Sequence, residues 1–71
     1  MNEPIYNLQH LVQTAFMNDH DMQNYGIDVL DNNGIITLRG TVPTRDARER
    51  AEAIVRDMEG VTSVINELDV A

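Results

Sequence analysis

Three kinds of hydrophobic spacing divide the chain. Ile5, Leu8, Leu11, Val12, Ala15 and Phe16 recur at helical intervals, and Pro4 suits a first helical turn, so a first helix is predicted over 4–17. Tyr6 and His10, one turn apart, flank its apolar stripe. The polar run Asn18-Asp19-His20-Asp21 breaks the pattern, and 22–26 reads as a loop. Alternation then replaces the helical period. A strand over 27–31 meets Asn33-Gly34, the strongest short hairpin signal, because a type I′ turn needs positive φ at both central residues. A second strand carries Ile36, Leu38, Gly40 and Val42 on one face. With Asn33-Gly34 as the turn, Val29 faces Leu38, Ile27 faces Gly40 and Asp28 falls opposite Arg39.

Pro43 and Thr44 end that strand. Thr44 is the expected N-cap of a second helix, with Asp46 at its positive end. Ala47, Ala51, Ile54, Val55 and Met58 form its apolar stripe. Its outer face offers i,i+4 pairs: Arg45 with Glu49, Asp46 with Arg50, Arg48 with Glu52, and Glu52 with Arg56. Gly60 fits the left-handed residue after a helix. A third strand over 61–70 puts Val64, Asn66, Leu68 and Val70 on one side and Ile65, Glu67 and Asp69 on the other. The first side is the more apolar, which places the Asn66 amide in the core layer, where it requires hydrogen-bond partners.

The element order is αββαβ, an α+β fold expected as one domain over 1–71: a three-stranded mixed sheet with two helices on one face. The strand–helix–strand unit predicts a right-handed crossover between parallel strands. The sheet order expected is first–second–third strand. Gly40, without a side chain on the core side, is expected to let a helix approach closely.

Charge and composition narrow the chemistry. The net charge is −7, with five arginines and no lysine. That argues against nucleic-acid binding, which needs a basic footprint, and against unaided adsorption to an anionic leaflet. Without lysine or cysteine there is no Schiff-base or thiol chemistry. No apolar run approaches the ~20 residues of a membrane span, and Met1-Asn2-Glu3-Pro4 lacks the features of a secretory signal. A cytoplasmic location is therefore expected from the sequence as it stands, or a periplasmic one if it is a piece of a larger exported protein.

The stretches Asn33-Gly34-Ile35-Ile36-Thr37-Leu38-Arg39-Gly40-Thr41-Val42, Arg50-Ala51-Glu52 and Gly60-Val61-Thr62-Ser63-Val64-Ile65-Asn66-Glu67-Leu68-Asp69-Val70 together resemble the BON domain, the bacterial OsmY and nodulation domain. The resemblance runs from about Ile5 to Val70, and the second half carries its specificity. It implies the same αββαβ fold. It also implies a non-catalytic module that binds phospholipid surfaces, other ligands or proteins, as in osmotic-stress periplasmic proteins, outer-membrane lipoproteins and potassium-binding proteins.

Each candidate site has a plainer reading beside it. Arg39 is placed to contact a phosphate headgroup, but a cross-strand pair with Asp28 is simpler, with Glu67 or Asp69 nearby. The helix arginines each have an acidic residue one turn away, so a self-neutralised solvated face outweighs a headgroup patch. Asp19-His20-Asp21 reads as a polar loop before it reads as a metal site, because hard cations need six or more oxygens. No nucleophile or buried carboxylate pair accompanies His10, so no enzyme, cofactor or metal is expected. The open sheet face is the candidate interaction surface: Leu30, Ile35, Thr37, Arg39 and Ile65 share it with Asp28, Glu67 and Asp69. Gly34, Gly40, Gly60 and Asn66 are expected to be structural. The favoured partner is a protein or a second copy of the chain, docking on this face or on an edge strand. A phospholipid surface is the alternative, and cation sensing a further one.

Overall fold

The computed structural model describes residues 7–71. Its elements are α1 (Leu8–Met17), a single 3₁₀ turn (Met22–Asn24), β1 (Asp28–Asn32), β2 (Ile35–Val42), α2 (Arg45–Arg56) and β3 (Ser63–Val70). The sheet order is β1-β2-β3, with β1 antiparallel and β3 parallel to β2. The αββαβ fold and the strand order follow the sequence expectation. The Pro4 helix start and the placements of Ile5 and Tyr6 lie outside the described residues.

Local chemistry sets the element boundaries. Asn7 caps α1, its Oδ1 accepting the His10 N–H at 3.2 Å. Thr44 caps α2 as expected, with its hydroxyl accepting the Ala47 N–H at 3.1 Å. At the hairpin Asn33 has φ 54° and Gly34 φ 90°, the pair of positive values that a type I′ turn requires. Asn32 therefore pairs with Ile35 and Asp28 with Arg39, the register predicted. Asp31 Oδ1 accepts the Gly34 N–H at 3.0 Å and braces the turn. The Gly34 carbonyl accepts the Thr62 N–H at 2.8 Å, tying the turn to the start of β3.

The core lies between the helices and one sheet face. Val12 and Phe16 of α1, and Ala47, Ala51 and Val55 of α2, meet Val29, Ile36, Leu38, Val42 and Leu68 of the sheet. Met22 completes this cluster at 1% exposure, although it falls in the predicted loop. The 3₁₀ turn folds it inward, with Asp19 Oδ1 accepting the Asp21 and Met22 N–H groups at 2.9 and 3.1 Å.

Four expectations need correction. Gly40 is not opposed by a helix: a Cβ there would lie 2.5 Å from the Gly26 carbonyl oxygen and 3.5 Å from Ile27 Cα, and its φ is 134°. The close neighbour is the chain entering β1. Gly60 has positive φ, but α2 ends earlier, at Arg56 with Asp57 as C-cap, and Gly60 lies in the following turn, where the Val61 N–H reaches the Met58 carbonyl at 3.3 Å. Val70, assigned to the core side, is 45% exposed because it lies at the far end of an edge strand. Leu11, assigned to the helix stripe, is 40% exposed on the shoulder of α1.

Candidate functional site

The sheet face away from the helices is built in rows by the ladder. Leu30 pairs with Thr37, and Thr37 with Ile65, so one row crosses all three strands. Ile35 lies two residues from Thr37 on the same side of β2. The next row along is Asp28, Arg39 and Glu67. The structure thus brings Leu30, Ile35, Thr37, Arg39 and Ile65 onto one surface. Leu30 is 47%, Ile35 37% and Ile65 46% exposed, and Thr37 is half-buried between them. This leaves an aliphatic patch at the hairpin end of the sheet and a charged band beside it.

Arg39 does not pair with Asp28 across the hairpin. Its Nε donates to Glu67 Oε1 at 2.9 Å. The two residues are register partners on parallel strands, so their side chains leave the sheet side by side, and the glutamate stem is long enough to meet the guanidinium.

The other arginines are occupied as well. Arg45 lies 3.7 Å from Glu49, and Arg56 Nη2 donates to Glu52 Oε2 at 2.6 Å. Two expected helix pairs are replaced. Arg50 turns from Asp46 to Asp19, which its Nη2 meets at 2.8 Å. Arg48 turns from Glu52 to the rim of the sheet, donating through Nη2 to the Asn66 carbonyl at 3.3 Å. Arg48 thus has no carboxylate partner among the described residues, and neither Asp28 nor Asp69 has a cationic one.

Asn66 is half-buried, less covered than the core position predicted for it, and its amide has hydrogen-bond partners as predicted. Nδ2 donates to the Arg48 carbonyl at 3.0 Å and to Glu52 Oε1 at 3.1 Å, and Oδ1 accepts the Leu68 N–H at 3.1 Å. One amide thereby joins α2 to β3.

Asp19 belongs to the fold and is not an available ligand. The Arg50 guanidinium, then the Met22 and Asp21 N–H groups, hold its carboxyl down at about 2. Among the described residues no three or more His, Asp or Glu side chains gather as a cation site. No helix among them is long and apolar enough to cross a membrane.

Known proteins give this architecture its family. The BON domain model matches residues 7–71. The chain is also 34% identical over 65 residues to the outer membrane lipoprotein DolP of Haemophilus influenzae, an alignment covering 90% of this chain and 34% of that protein. The chain thus spans about a third of the length of this curated relative. The chain belongs to the BON domain family.

Proposed function

We propose that this BON domain is a non-catalytic binding module that docks onto a protein through the open face of its sheet. The observation that carries the reading is the Leu30–Thr37–Ile65 row, with Ile35 beside it, left uncovered across all three strands. Contiguous exposed aliphatics on a rigid sheet favour a docking patch over scattered surface residues. The net charge of −7 favours a partner whose contact surface is rimmed with basic groups. The likeness to an outer membrane lipoprotein supports an exported protein of the bacterial envelope over the cytoplasmic placement expected from the sequence.

The same likeness favours a second reading, a phospholipid surface as the target. Capture from a detergent extract of a bacterial envelope tests the first. A protein retained by the wild-type chain and by Leu11→Lys, but lost from Ile35→Lys/Ile65→Lys, supports docking on the open face. Equal retention by the double variant refutes it. Co-sedimentation with anionic vesicles that is lost in Ile35→Thr/Ile65→Thr, which removes the aliphatics without adding charge, would transfer the face to the lipid reading.

A further inference from the structure

The sheet has two edges, and they differ. In the parallel β2–β3 ladder Asp69 and Ala71 turn their main-chain groups toward β2, as the Ala71 N–H to Val42 carbonyl bond of 2.9 Å requires. Val64, Asn66, Leu68 and Val70 therefore turn theirs outward. The middle of that row is closed. The Asn66 carbonyl accepts from Arg48, and the Leu68 N–H is taken by Asn66 Oδ1. Arg48 reaches this edge from α2, so an incoming strand would have to displace it and the Asn66 amide together.

Among the described residues the β1 edge has no such cover. Asn32 and Ile35 flank the two-residue turn, so Asp28, Leu30 and Asn32 face β2, and Val29 and Asp31 face outward. Among the described residues, no hydrogen bond outside the ladder reaches the main chain of Val29 or Asp31. Four of the five β1 residues are exposed. Asp28 forms no ion pair among the described residues, since Arg39 is taken by Glu67. An open row of backbone donors and acceptors recognises extended polypeptide, and the side chains beside it set the choice of sequence.

We propose that the outer edge of β1 takes an extended segment of another protein as a fourth strand, with a basic side chain beside Asp28 and an aliphatic one beside Leu30. Residues two apart share a sheet face, so a segment added antiparallel to β1 carries the pattern aliphatic-x-basic from its N-terminus. The proposal rests on the binding-module reading; its contacts are the main-chain edge of β1 with Asp28 and Leu30 beside it, whereas the face test changes Ile35 and Ile65 on β2 and β3, so the two fail separately.

The test is amide hydrogen exchange with a short acetylated peptide that places Ile two residues before Arg among threonines, against the same peptide with Glu for Arg. With the Arg peptide, exchange at Val29 and Asp31 slows about tenfold or more, while Val64, Asn66, Leu68 and Val70 are unchanged. The Glu peptide binds about fivefold more weakly or worse, and Asp28→Arg reverses that preference. Protection at the β3 edge, equal binding of both peptides, or no binding up to about 1 mM would overturn the proposal. Ile35→Lys/Ile65→Lys leaves peptide binding intact, so failure of the face reading would show in that variant's envelope capture and not here.

Discussion

Arg50 Nη2 lies 2.8 Å from Asp19 Oδ2, joining the outer face of α2 to the turn that follows α1. The same carboxylate accepts the Asp21 and Met22 N–H groups at the start of the 3₁₀ turn that buries Met22. One ion pair therefore anchors a core residue that has no regular element of its own beyond that turn.

The pair makes stability pH-dependent in a defined direction. The Asp19 carboxyl is lowered from 3.8 to about 2 in the folded chain. A carboxylate with a depressed folded pKa contributes stability that is fully present above its unfolded value and disappears as pH falls through the folded one. The wild-type melting temperature is therefore expected to decline between about pH 5 and 2, and Arg50→Gln to decline less over that window. Parallel acid melting curves for the two chains would show that Asp19 is not the group responsible.

Gly40 combines a φ of 134° with a backbone oxygen 2.5 Å from where a Cβ would stand. A side chain there strains the conformation and also pushes the Gly26–Ile27 segment away, each at a cost of about 1–3 kcal/mol. Gly40→Ala is thus expected to destabilise by roughly 2–6 kcal/mol, measured by urea unfolding. Gly26→Ala, where a Cβ meets nothing within 4 Å, is the matched control and stays near wild type.

Much of the fold was legible because its signals are local. Asn33-Gly34 specifies a turn by its own φ values, and the turn then fixes every pair from Asp28–Arg39 to Asn32–Ile35. Thr44 marks a helix start by its hydroxyl alone. The open face follows from strand parity, which alone puts Leu30, Ile35, Thr37, Arg39 and Ile65 on one side of the sheet. Partners chosen across space were not legible. Arg50 has an acidic residue one turn away in Asp46, but the fold presents Asp19, 31 residues distant in sequence. Met22 stands alone among polar neighbours and has no period to betray its burial. The Gly40 neighbour was misread because a gap on the core side suggests a helix, and only the path into β1 shows the carbonyl that fills it.

Asn66 tests whether a polar amide on the core side joins the layers or merely fills space. Asn66→Ala removes both donors and the acceptor, leaving the Arg48 carbonyl and the Leu68 N–H without it. The expected loss is about 1–3 kcal/mol, the cost of stranding partly covered polar groups. Uncapping the Leu68 N–H also opens the β3 edge, so this variant is expected to self-associate at concentrations where the wild-type chain stays monodisperse in sedimentation velocity. A variant that unfolds at the wild-type urea midpoint would show that the amide joins nothing of consequence.

The last prediction concerns membranes. A phosphate site combines several free donors, usually guanidinium groups presented together. Here Arg39, Arg45, Arg50 and Arg56 each face a carboxylate, and Arg48 is turned to the Asn66 carbonyl. To bind an anionic headgroup, an arginine must leave its partner, and the chain must approach a like-charged surface with a net charge of −7. The isolated chain is therefore expected to co-sediment no better with anionic than with neutral vesicles at physiological salt, and to gain nothing when salt is lowered. Charge neutralisation sharpens the test: Glu67→Gln removes the carboxylate that holds the Arg39 guanidinium on the open face and is expected to raise anionic-vesicle binding above wild type. Strong wild-type binding that weakens with salt would mean that the ion pairs open at a membrane, and would make the lipid surface, not a protein, the target of the open face.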